Sequence, residues 1–175
     1  MRKLKLPRIA VFAAVLAAPS FAGDFKQAVV ILPGAPSIPH KKAAQMLVEE
    51  IEKRTQLRLK LSTAATAGAP AIYLKVAPGG KPESFTLTST PASITVTGAD
   101  DRGVVFGTGY LLRQFRMARQ KLELDTDLKV STAPKYLVRG QQLGYRPKTN
   151  AYDAWSVPMW DQYIRELAIF GNNTI

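Results

Sequence analysis

The chain has no cysteine and a single histidine, His40, among its 175 residues. Without thiols it has no disulfides and no thiolate metal sites, and one imidazole falls short of the usual zinc ligand sets. Ser-His-Asp chemistry is equally hard to build, because no acidic residue lies near His40 in sequence to orient it. His40 follows Pro39 and is expected to be a solvated residue in the first turn of a helix. Long apolar runs are scarce as well. The longest, residues 9–18, is shorter than the ~20 residues a membrane span needs, so stable membrane insertion is not expected. No motif implies a cofactor or a metal.

That short run has a specific setting. Arg2, Lys3, Lys5 and Arg8 precede it and Ser20-Phe21-Ala22 follows, which is the pattern of a secretory leader cut near Ala22. Residues 1–22 are therefore expected to be removed and the remainder exported, to the periplasm or beyond. The leader carries four basic residues and no acidic ones, so the net charge falls from +11 to +7. A basic exported protein has little use for nucleic acid; its charge suits anionic polysaccharide or plain solubility. The densest group, Arg113, Arg116, Arg119 and Lys121, lies near the end of a predicted helix, where the last carbonyls welcome cations.

From residue 26 to about 130 the pattern mixes strands with two helices. Residues 28–32 form an unbroken apolar run, as in a strand covered on both faces. A helix follows to about Thr55, capped by Ser37, with Ala44, Leu47, Val48 and Ile51 as its stripe and Lys42, Glu49 and Lys53 opposite. Leu57, Leu59 and Leu61 then alternate with Arg58 and Lys60, and Ile72, Leu74 and Val76 with Tyr73 and Lys75, which predicts two strands. Phe85 and Leu87 are expected to face Ile94 and Val96 in a hairpin turning at Pro91, with a threonine-rich solvent face. A second helix begins at the capping pair Asp100-Asp101, with Val104, Thr108, Leu111, Leu112 and Phe115 on one side. Gly103, Gly107 and Gly109 each cost it up to about 1 kcal/mol, which predicts a helix pressed hard against the sheet. One more strand passes through Leu122 and Leu124.

Residues 131–138 read as a linker, and a new unit starts at 139. Residues 136–143 are strand-like, 145–155 form a polar and aromatic loop, and Ser156 with Pro158 starts a helix. Its stripe is Trp160, Tyr163, Ile164, Leu167 and Ala168; Gly171 ends it and Asn173-Thr174-Ile175 enters another strand. Strand, loop, helix, strand is the opening of a parallel β/α repeat.

Two phrases carry a family resemblance. Asp101-Arg102-Gly103-Val104-Val105-Phe106-Gly107-Thr108-Gly109-Tyr110-Leu111-Leu112-Arg113-Gln114-Phe115 resembles the closing helix of the small α/β domain that precedes the barrel in family 67 alpha-glucuronidases and family 20 beta-hexosaminidases. Arg139-Gly140-Gln141-Gln142-Leu143-Gly144-Tyr145-Arg146 falls where those enzymes begin their catalytic (β/α)8 barrel. The resemblance implies an α+β fold: a small sheet with two helices packed on it, residues 23–130, followed after the linker by the first β/α unit of a truncated barrel, residues 139–175. It also implies that Arg139 contacts sugar hydroxyls. Gly144 departs from the hexosaminidase pattern, which has an acidic residue there.

The function expected is that of the N-terminal fragment of an exported glycoside hydrolase acting on an oligo- or polysaccharide, with an alpha-glucuronidase-like enzyme as one form. The competing expectation is a non-enzymatic exported module that binds anionic polysaccharide. Glycoside hydrolysis needs two carboxyl groups about 5–10 Å apart across the bond. Asp153, Asp161 and Glu166 do not supply such a pair, so no catalytic residue is assigned and the chain alone is expected to be inactive; the resemblance places the catalytic carboxylates on later strands. Arg139, Tyr145 and Arg146 are the candidate substrate-binding residues, in a segment that also holds Tyr152 and Trp155. One β/α unit has few neighbours to pack on. Trp160, Ile164 and Leu167 are thus expected to face water, with the tail cleaved near residues 131–135; a tail folded onto the first unit would argue against a barrel.

Overall fold

The computed structural model describes residues 23–125, 127–143 and 154–175. The expected leader, residues 1–22, lies outside them, as do Tyr145, Arg146, Tyr152 and Asp153. Among the described residues no helix is long and apolar enough to cross a membrane.

The main sheet is built where the sequence alternates. Strands β2 (Val29–Ile31), β3 (Lys60–Ser62), β4 (Ala71–Val76), β5 (Phe85–Thr90), β6 (Ser93–Gly98) and β9 (Lys129–Thr132) lie in the order β3-β2-β4-β6-β5-β9. The first four positions are parallel, while β5 runs antiparallel to both β6 and β9. Helices α1 (Ile38–Thr55) and α2 (Asp101–Gln114) pack side by side on one face. Val30, Ile72, Leu74, Leu87, Ile94 and Val96 point into that layer and meet Leu47, Ile51, Val104 and Leu111, all of them essentially sealed from water. The opposite face carries a small patch of Val29, Ile31 and Ala71 and the exposed Thr86 and Thr88.

Much of the sequence pattern translates directly. Ser37 caps α1 by accepting from the His40 amide, and Asp100 caps α2 by accepting from the Gly103 amide at 2.7 Å. The hairpin sets Leu87 opposite Val96, with Phe85 opposite Gly98. A Cβ at Gly103 would lie 2.3 Å from the Ser84 carbonyl oxygen, and one at Gly107 2.5 Å from Val96, so these two glycines let α2 press onto the sheet as their spacing predicts.

Other expectations are corrected. His40 is buried, not solvated: its Nε2 lies 3.0 Å from the Leu74 carbonyl oxygen, because the chain break at Pro33–Pro39 turns the first helical turn over the end of β4. Residues 57–61 do not form a strand that buries all three leucines. The strand starts only at Lys60, on the sheet edge, so Leu59 is buried while Leu61 is half exposed. Leu122 and Leu124 belong to a separate sheet in which β8 (Lys121–Leu124) pairs antiparallel with β1 (Gly23–Asp24) and β7 (Arg116–Ala118). Ser131 and Thr132, expected in the linker, pair with Thr86 and Phe85 as the end of β9.

Inside α2, Thr108 is completely buried and its Oγ1 has no hydrogen-bond partner among the described residues. A buried hydroxyl without a partner costs about 1–3 kcal/mol of desolvation. Thr108→Val keeps the shape and the β-branching while removing the hydroxyl. We expect it to raise stability by about 1 kcal/mol, read as a higher midpoint in thermal or urea unfolding.

Candidate functional site

The chemistry-bearing side chains concentrate where the tail meets the α/β unit. Helix α3 (Val157–Ile169) begins at Ser156 with Pro158 in its first turn. The segments on either side of it come together: Gly140 forms a parallel bridge with Thr174, and the Asn173 amide donates to the Arg139 carbonyl at 2.7 Å. Only this bridge forms in residues 136–143, where Tyr136, Leu137 and Val138 are largely exposed, so the expected longer strand is reduced to a single pairing.

The tail is also docked, although Ile164 of its apolar stripe is 48% exposed as expected and Trp160 and Leu167 are half-buried. Three sets of contacts hold it. Ile169 is buried in the main core, and its backbone lies so close to α2 that a Cβ at Gly109 would sit 2.6 Å from the Ile169 Cα. Arg165 reaches α1, with Nη2 on Glu49 at 2.5 Å and Nη1 on Glu50 at 3.4 Å, while Gln162 donates to Glu50 at 3.2 Å. Glu50 is fully buried and is also paired with Arg54.

The third set surrounds Glu83, which is 8% exposed. Arg139 Nη2 donates to its Oε2 at 2.6 Å, Asn173 Nδ2 donates to both carboxylate oxygens at 3.2 Å, and Arg102 reaches Oε1 at 3.2 Å. Glu83 itself has left-handed backbone, φ 62°, unfavourable by about 1 kcal/mol for a residue with a Cβ, and its amide is held by Asp100 Oδ2 at 2.9 Å. Arg139 completes the clamp by donating from Nε to the Gly171 carbonyl and from Nη1 to that of Tyr136, both at 2.8 Å. Its guanidinium also lies 5.3 Å from the Phe106 ring centre. Beside it opens a cleft of about 320 Å³ lined by Glu83, Phe85, Tyr110, Arg113 and Arg139.

Burial pushes the Glu83 carboxyl up, but the bonds from Arg139, Asn173 and Arg102 outweigh it and hold its pKa below the ordinary glutamate value. Glu50 behaves alike: burial raises it, and Arg54, Gln162 and Arg165 more than compensate. A carboxyl whose pKa is lowered by docking strengthens docking at pH above its free value, and the contribution fades as pH falls through the lowered one. Docking of the tail should therefore be constant from pH 7 to about 5 and weaken below about 4, read as a rise in protease cutting within residues 133–138.

Of the three candidate substrate-binding residues, the structure places Arg139 in the clamp; Tyr145 and Arg146 lie outside the described residues. Trp155 stacks edge-on with Trp160 at 5.2 Å and with Tyr163 at 5.3 Å. Glu83 and Glu50 were not foreseen. Glu50 had a signal, since it falls three residues after Leu47 and beside Ile51 on the apolar side of α1. Glu83 had none. Among the described residues no group of three or more acidic or histidine side chains is placed to hold a metal.

No family profile and no curated relative matches the sequence. Solved structures do. The family 20 (GH20) beta-N-acetylhexosaminidase of Streptomyces coelicolor A3(2) superposes with a TM-score of 0.62 at 18% identity, covering 87% of this chain and 31% of that one. The GH20 exo-beta-N-acetylglucosaminidase of Vibrio harveyi, in complex with N-acetylglucosamine, gives 0.54 at 20% identity over 68% of this chain and 17% of its own. A mutant Streptomyces plicatus beta-hexosaminidase with its product N-acetylglucosamine gives 0.53 at 19%, over 67% and 25%. The chain spans less than a third of each enzyme, and at these identities what it shares with the family 20 beta-hexosaminidases is the fold of part of their structure.

Proposed function

We propose that the chain is the N-terminal part of an exported glycoside hydrolase of the beta-hexosaminidase type, an accessory α/β unit carrying the first β/α unit of a sugar-processing barrel. The observation that carries this reading is the parallel bridge between Gly140 and Thr174 across α3. Parallel strands joined through a helix are how a (β/α)8 barrel starts. The two faces of α3 fit the same reading. With 3.6 residues per turn, Gln162, Arg165 and Ile169 lie on one side and Trp160, Tyr163, Ile164 and Leu167 on the other. The first side docks on α1 and α2; on the second, Tyr163 Oη bonds Gln141 at 2.9 Å, next to the bridge. A barrel helix turns its apolar side to the strands and leaves its outer side for an accessory domain, so a docked tail does not argue against a barrel after all.

Coverage adds support. Residues 1–138 make up about 79% of the chain, so the match over 87% reaches into residues 139–175, while the matches over 68% and 67% need not. In this reading Tyr145 and Arg146, which follow the first strand segment in sequence, contact an N-acetylhexosaminide, and Arg139 holds that segment in place. Export follows from the leader, and Gly23, the residue that cleavage after Ala22 would expose, opens β1. The catalytic carboxylates are assigned to β/α units after Ile175.

The test is the open reading frame with its product. Coding sequence for further β/α units past codon 175, and hydrolysis of chromogenic N-acetylglucosaminides by the whole product but not by residues 23–175 alone, is the expected result. A stop codon at that point, with saturable binding of anionic polysaccharide, would replace this reading with the non-enzymatic one. N-terminal sequencing of exported protein should begin at Gly23; intact Met1 would remove the export claim.

A further inference from the structure

The accessory unit touches both strand segments of the β/α unit through one side chain. We propose that Glu83 is a positioning residue that locks the first and second strand segments to each other and to the accessory unit; the use of those segments as barrel strands rests on the function proposed above.

Glu83 spans both segments at once. Arg139, in the first, brings a charge-assisted bond to Oε2, and Asn173, in the second, brings its amide group to both oxygens. The same two residues are joined to each other. The Arg139 amide donates to Asn173 Oδ1 at 2.9 Å, and the Asn173 amide donates back to the Arg139 carbonyl. Asn173 Nδ2 also reaches the Leu137 carbonyl at 2.8 Å. The result is a closed ring of bonds in which one anion holds Arg139 and Asn173 together, beside the direct bonds that join the two segments at the Gly140–Thr174 pairing. A neutral amide in place of Glu83 loses the charge and directs one N–H group toward donors that already face it.

The anion is itself held from behind. The Glu83 amide is fixed by Asp100, the α2 cap, and Arg102 in the first turn of α2 grips Oε1. Arg102 is mostly exposed, so its contact is the weaker one. The groups facing Glu83 are thus Arg102 and Asp100 from α2, Arg139 from the first segment and Asn173 from the second. Positioning precision of this kind matters because a site placed on a strand end is only as accurate as the groups that lock that strand.

Residues 23–175 carry both tryptophans of the chain, Trp155 and Trp160, in the second unit, which makes a direct test possible. In Glu83→Gln and Glu83→Ala the cutting rate within residues 133–138 should rise about tenfold or more, and tryptophan emission should shift to the red. The circular dichroism of the α/β unit should be preserved. Arg102→Ala should change the cutting rate less than about threefold. In a double-mutant cycle the losses of protection in Glu83→Ala and Arg139→Ala should be strongly non-additive, an outcome that independent loss of packing at two places does not produce. Unchanged cutting and emission in Glu83→Ala, or additive losses in the cycle, would overturn the proposal. Failure of the hexosaminidase reading shows separately, in the open reading frame and in hydrolysis by the wild-type product.

Discussion

Gly109→Ala is expected to destabilise the docked tail, although the same substitution in an exposed helix interior is stabilising. Two effects oppose each other. Alanine improves helix propensity by about 1 kcal/mol over glycine, and that gain belongs to α2 wherever the tail sits. Against it, the new Cβ would stand 2.6 Å from the Ile169 Cα and 2.7 Å from its carbonyl oxygen. Those are backbone atoms and cannot swing aside, so α3 has to move. Forcing an extra carbon into a packed contact costs typically 1–3 kcal/mol, and moving α3 also takes Ile169 out of the core, where burial of such a side chain is worth about 1.5–3 kcal/mol. The clash wins. The measurement is a comparison of two signals in one urea titration: tryptophan fluorescence, which reports the tail, should move to lower urea, while far-ultraviolet dichroism, dominated by the α/β unit, should keep its midpoint or rise slightly. If both midpoints rise together by about 1 kcal/mol, propensity has decided the outcome and α3 is not seated on Gly109. Gly109→Leu should enlarge the separation.

The three glycines of α2 show how much the sequence made legible. Their cost to the helix announced close packing, and Gly103 and Gly107 do meet the sheet. Spacing alone did not reveal that Gly109 faces another helix, because a stripe of small residues says that something approaches and not what. The same limit applied to the tail. Its apolar stripe on Trp160, Tyr163, Ile164 and Leu167 was plain from periodicity, yet docking runs through the opposite side, through Gln162, Arg165 and Ile169, whose mixed chemistry reads as solvent-facing until a partner is known. His40 failed for a related reason. A helix-start position is exposed by default, and only the turn at residues 33–39 brings its ring to the Leu74 carbonyl. The strands and their core residues were legible because burial on one face imposes a period of two; Glu83 was not, since a lone acid in a loop has no period to break.

Glu50→Ala is expected to destabilise the chain more than Glu49→Ala, even though Arg165 lies closer to Glu49. Distance alone gives the reverse order, because Arg165 Nη2 is 2.5 Å from Glu49 and Nη1 is 3.4 Å from Glu50. Surroundings decide otherwise. The Glu49 side chain is 34% exposed, water screens its pair, and such pairs are worth about 0–1 kcal/mol. The Glu50 side chain is fully buried, where attraction is screened far less and every bond it accepts is one that Arg54, Gln162 and Arg165 lose together. Alanine also leaves a void on the inner side of α1. Removing one partner of a buried pair costs about 3–5 kcal/mol when the other charge stays buried, but Arg54 and Arg165 are 45% and 26% exposed and part of that cost is relieved by water. We therefore expect about 2–3 kcal/mol for Glu50→Ala and under about 1 kcal/mol for Glu49→Ala, from urea midpoints at pH 7. A cycle with Arg165→Ala separates the shares: coupling to Glu50 should exceed coupling to Glu49 and should survive 1 M salt, where the exposed pair loses its contribution. Equal losses for the two glutamates, or a Glu50 coupling that vanishes in salt, would mean that Glu50 is not sealed beneath α3 and that the tail docks without it.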